Sequence, residues 1–107
     1  MKSPDQREMY ARGTAVSDFI RLVNEELVRA EKKFPTWPVD VIHGVAVMAE
    51  EAGEAVKAAL DYAYFHDASI NNLETELIQT AAMAIRAWVG LDSKRAVMVK
   101  EKSDARP

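Results

Sequence analysis

The feature that most constrains this chain lies between Val41 and Tyr64, where a run rich in Ala and Val carries its charged residues in helical register. At 100° per residue His43, Glu50, Glu54, Lys57 and Asp61 share one narrow stripe, with Glu51 beside it. A polar stripe on an apolar helix is ordinarily its wetted face. Two details set this one apart. Glu50 and Glu54 are four residues apart, and Glu51 and Glu54 three, so both pairs bring like charges together, and only Lys57 offers relief. A later apolar segment also carries Glu76 and Gln79 at a three-residue step. Two antiparallel helices could set these oxygens across a groove, a donor set that suits a hard divalent cation such as Mg²⁺.

The rest of the chain reads as helices separated by clear punctuation. Ser3-Pro4-Asp5-Gln6 has the form of a capping box, with Ser3 as N-cap, for a short helix ending near Gly13. Val16, Ile20, Val23, Leu27, Ala30 and Phe34 then recur at steps of three and four, which predicts an amphipathic helix stopped by Pro35. Pro35-Thr36-Trp37-Pro38 is a stiff link, and the next helix is expected over 39–66 with Pro38 in its first turn. Asn72 is the expected N-cap of a helix over 73–89 that ends at Gly90, and Asp92 or Ser93 would cap a short fourth helix through Lys102. The expectation is one all-α domain over 1–107, a bundle of about four helices, with 1–13 and 103–107 loose or peripheral. Helices this apolar need more cover than one short C-terminal helix supplies, so a homodimer or homotetramer is expected to complete the bundle.

Composition narrows the function classes. A chain of 107 residues with no Cys has no disulfide, thiolate zinc site or cysteine nucleophile. No apolar run approaches the roughly 20 residues that span a bilayer, and the polar start MKSPDQREMY shows no secretory signal, so the expected setting is cytoplasmic, away from membranes. A net charge of −3 argues against a nucleic-acid polymer as partner. It leaves room for a small phosphorylated ligand held through a cation. Glu-x-x-His pairs of a carboxylate di-iron bundle are missing, as is any Gly-rich phosphate cradle.

Glu50-Glu51-Ala52-Gly53-Glu54, followed after a loop by Glu76-Leu77-Ile78-Gln79, resembles the paired E-E-x-x-E and E-x-x-D motifs of the MazG-like all-α nucleoside triphosphate pyrophosphohydrolases. The wider runs 43–58 and 76–84 are similar to small stand-alone members, including phage-encoded forms; the likeness covers roughly Trp37 to Trp88. The resemblance implies a metal site of Glu50, Glu51, Glu54, Glu76 and Gln79 that binds Mg²⁺, with Mn²⁺ as an alternative, and an NTP or dNTP substrate split to monophosphate and pyrophosphate. Gln79 stands where the family has Asp, and an amide oxygen can ligate Mg²⁺ but brings no charge. Glu50 is the candidate base that positions or deprotonates the attacking water, a role interchangeable with that of a ligand at this level.

Further residues are weighed against plainer roles. Lys57 is a candidate phosphate contact or an ion-pair partner of Glu54 or Asp61. His43 could touch base or sugar, against a packed or solvated His. Trp37 could stack on a nucleobase or anchor an interface or a core. Arg86, Lys94 and Arg95 read first as surface charge and second as triphosphate contacts, within their own subunit or from a neighbouring one. The alternative reading of the whole chain is a non-catalytic helical module that binds nucleotide or protein, with Gln79 marking a degenerate metal site.

Overall fold

Asp5 opens the first helix. Its carboxylate accepts from the Glu8 backbone N–H at 2.8 Å, as an N-cap does, and α1 then runs without a break over Gln6–Lys33. The expected cap, Ser3, lies outside the described residues. Gly13 does not end the helix: it has ordinary negative φ and open space around it, so the chain passes through at the modest entropic cost of a helical glycine. The stop before Pro35 holds, with Phe34 donating its N–H to the Ala30 carbonyl at 2.7 Å. The computed structural model describes residues 5–65 and 68–104; beyond residue 92 only the side chains of Lys94 and Arg95 belong to the described set.

The next helix, α2 (Val41–Tyr64), begins three residues past Pro38, because Asp40 takes the N-cap position and accepts from the His43 N–H at 3.1 Å. Pro38 therefore stays in the link 34–40 rather than in a helical turn. The third helix, α3 (Ile70–Asp104), starts ahead of the expected Asn72: Ser69 Oγ accepts from the Asn71 N–H at 3.1 Å and caps the first turn. It then continues through Gly90, Asp92 and Ser93, so the expected third and fourth helices are one 35-residue helix, and the described chain has three helices and no strand.

α3 is the spine. α1 and α2 each pack on it and make no backbone contact with one another, which leaves a groove between them floored by α3. The described core is thin, with Val23, Ala30, Ala55, Ala58 and Ala82 as its buried apolar residues and no large side chain fully buried. Half of the apolar stripe expected on α1 stays uncovered, Ile20 at 55% and Phe34 at 59% exposure, and Ile42 on α2 and Trp88 on α3 are also open. The radius of gyration is 18.6 Å, against about 13 Å for a compact chain of this length. No helix among the described residues is long and apolar enough to cross a membrane.

Candidate metal centre and adjoining cavity

Three carboxylates meet where α2 crosses α3. Glu51 and Glu54 project from α2 one turn apart, Glu76 comes from α3, and one oxygen of each lies within 4.8 Å of the other two. Two of the oxygens, Oε2 of Glu51 and Oε2 of Glu76, are buried and have no hydrogen-bond partner. Buried acceptors without donors are destabilising, and like charges at this distance add to it. The protein answers by holding protons more tightly. Burial pushes the Glu51 carboxyl above the usual carboxylate range, and the charges of Glu54 and Glu76 raise it further. Glu76 is raised in the same way, by burial first and then by Glu54. A cation would relieve both problems at once, since it supplies charge and lone-pair partners together. The donor set, all hard oxygen, fits a divalent ion of the Mg²⁺ type.

Glu50 stands outside this trio. It is exposed, and close enough that its charge adds to the rise at Glu51. Gln79, one turn beyond Glu76 on the same helix, lines a cavity together with Glu51. That cavity is the groove between α1 and α2. It holds about 380 Å³, within the roughly 300–1,000 Å³ of small-molecule sites. Its apolar lining comes from Ala30, Phe34, Trp37, Val47 and Met83. On the α1 side, Glu26 and Arg29 hold one another, with Arg29 Nε donating at 2.7 Å.

The far wall is built around Arg86, which corrects the reading of that residue as surface charge. Arg86 is only 9% exposed. Its guanidinium donates to the Phe34 carbonyl at 2.6 Å and the Thr36 carbonyl at 3.3 Å, and lies over the Trp37 ring, 4.9 Å from the centroid. Trp37 in turn sits against glycines on α2 and α3. A Cβ at Gly44 would come within 2.8 Å of Trp37 Nε1, and one at Gly90 within 3.2 Å of Trp37 Cδ1. The link 34–40 is thereby clamped to α3, and Trp37 has one face under a cation and its edge against two helices. The signal for this clamp in the sequence is two glycines, one inside α2 and one inside α3, with a tryptophan in the link that precedes α2.

The remaining expected residues are dispersed. Lys57 is exposed and forms no ion pair with a described residue, so neither Glu54 nor Asp61 holds it. His43 is exposed in the first turn of α2, with its backbone N–H on Asp40. Arg95 pairs with Asp92 at 2.7 Å and lies over Trp88, and Lys94 is exposed nearby; neither lines the cavity. Compared with known protein families, with curated proteins and with solved structures, the chain shows no match.

Proposed function

We propose that this chain is a MazG-like, Mg²⁺-dependent nucleotide pyrophosphohydrolase that cleaves an NTP or dNTP to monophosphate and pyrophosphate. The observation that carries the reading is the meeting of Glu51, Glu54 and Glu76 from two helices, with two orphaned buried oxygens, at the edge of a nucleoside-sized cavity. The three carboxylates would hold the ion, with Mn²⁺ able to replace it. When bound, the ion offsets the triphosphate's negative charge and polarises its phosphoryl oxygens. Water attacks the α-phosphorus as the bond to the β-phosphate oxygen breaks and pyrophosphate leaves. The exposed Glu50 carboxylate, next to the trio, takes the water's proton. Lys57, with no ion pair of its own among the described residues, is free to approach a phosphate.

The active form is a homodimer or homotetramer in the cytoplasm. The thin core, the open apolar residues and the extended shape support assembly, because among the described residues no large side chain is fully buried and little holds the chain together alone. Gel filtration is expected to show at least a dimer, and a compact 12 kDa species would overturn that part.

The test of the function is incubation with Mg²⁺ and a panel of NTPs and dNTPs, assayed for monophosphate and pyrophosphate. Cleavage by the wild-type chain, lost in Glu51→Gln, Glu54→Gln and Glu76→Gln without loss of helicity, is the expected result. Absence of cleavage across the panel, with no bound metal, would favour a non-catalytic helical module.

A further inference from the structure

Several polar groups around the cavity are engaged. Glu26 and Arg29 are bound to each other, Arg86 to two main-chain carbonyls, and Glu51 belongs to the carboxylate trio. Beside the orphaned Oε2 of Glu51, Gln79 is unpaired. It is half-buried, lines the wall beside Glu51, and its side-chain amide makes no hydrogen bond to another described residue. A primary amide offers a donor and an acceptor side by side, the complement of the edge of a nucleobase. Phe34, Trp37 and Met83 supply apolar lining for the faces of such a ring, in a space of about 380 Å³.

We propose that Gln79 is the specificity-determining residue of this chain: its amide reads the hydrogen-bonding edge of a base seated in the groove between α1 and α2. The assignment rests on the nucleotide reading above and takes Gln79 out of the metal site, where three carboxylates already meet. Exchange of Asp for Gln at this point then adds a reader at the mouth of the cavity rather than merely removing a charge.

The test separates base recognition from metal and from turnover. Binding of a panel of nucleoside 5′-monophosphates is measured without divalent cation for wild type, Gln79→Met, Gln79→Glu and Glu54→Gln. Gln79→Met keeps the length of the side chain and removes both hydrogen-bonding groups. It is expected to weaken the preferred monophosphate roughly tenfold and to flatten the order of the panel. Gln79→Glu exchanges the donor for an acceptor and is expected to reorder the panel, which keeps the question open to test should Gln79→Met fold poorly. Glu54→Gln should retain the wild-type order. Wild-type affinities and order in both Gln79 variants would overturn the proposal, as would a wild-type chain that cleaves triphosphates yet binds none of the panel. A Gln79-dependent order in a chain that cleaves nothing would uphold base reading while removing the hydrolase.

Discussion

The two ends of the cavity are built on opposite principles. At the Trp37 end the buried charge has partners: the Arg86 guanidinium meets two carbonyls and an aromatic face, and Trp37 fills space left by two glycines. At the Glu51 end three like charges crowd together and two buried oxygens have no partner. The first arrangement is what folding stability alone selects. The second opposes stability, a pattern that core packing alone does not select. The clamp sets the far wall, and Glu51 brings the carboxylate trio to the near one.

The comparison can be broken by substitution at either end. Glu54→Gln should lower turnover by at least the ~100-fold that loss of even an outer-shell partner can cause at a metal site. Its thermal midpoint should not fall, and a stability loss without an activity loss would reverse the assignment of the two ends. Arg86→Ala should do the opposite, lowering stability by about 2–4 kcal/mol in denaturant titrations at matched protein concentration, since it removes two charge-assisted hydrogen bonds and the cover of Trp37. Gly44→Ala should be destabilising by about 1–3 kcal/mol, because the new Cβ meets a ring that Arg86 holds in place. An unchanged midpoint would mean Trp37 is not fixed.

The carboxylate end predicts its own pH dependence. Glu51 and Glu76 have folded-state pKa values raised above the ordinary 4.5, so the folded chain binds their protons more tightly than the unfolded chain does. Their stabilising contribution is complete below the ordinary value and is lost as pH rises through the raised ones. Metal-free protein should therefore lose this contribution as pH rises above the ordinary carboxylate range, and Glu51→Gln should flatten that decline. Added Mg²⁺ should restore stability at neutral pH, and a wild-type profile indistinguishable from that of Glu51→Gln would count against the crowding. The smallest effect is a control outside both ends: Gly13→Ala, with open space around it, should stabilise α1 by up to about 1 kcal/mol by circular dichroism melting.

The helical class and the carboxylate trio were both legible in the sequence, for one reason. Steps of three and four residues fix which side chains share a helix face, and that rule plus one packing event brings Glu51, Glu54 and Glu76 together, although it equally favours Glu50 and Gln79, which lie outside the trio. Gly13 and Gly90 were misleading, because a glycine after an apolar run also marks a helix end. Gly90 serves instead to admit the ring of Trp37, a residue far away in the chain. Arg86 was hidden for a related cause. Its hydrogen-bond partners are the main-chain carbonyls of residues 34 and 36, and no side-chain pattern announces a carbonyl. The uncovered face of α1 could not be foreseen from its periodicity, which marks an apolar stripe without saying what covers it.

The most direct test is a titration of metal-free protein with Mn²⁺, followed by electron paramagnetic resonance, on wild type and on Glu51→Gln, Glu54→Gln and Glu76→Gln. The account predicts saturable binding by the wild-type chain that is lost or greatly weakened in each of the three variants. No saturable binding, or binding that survives all three substitutions, would contradict it.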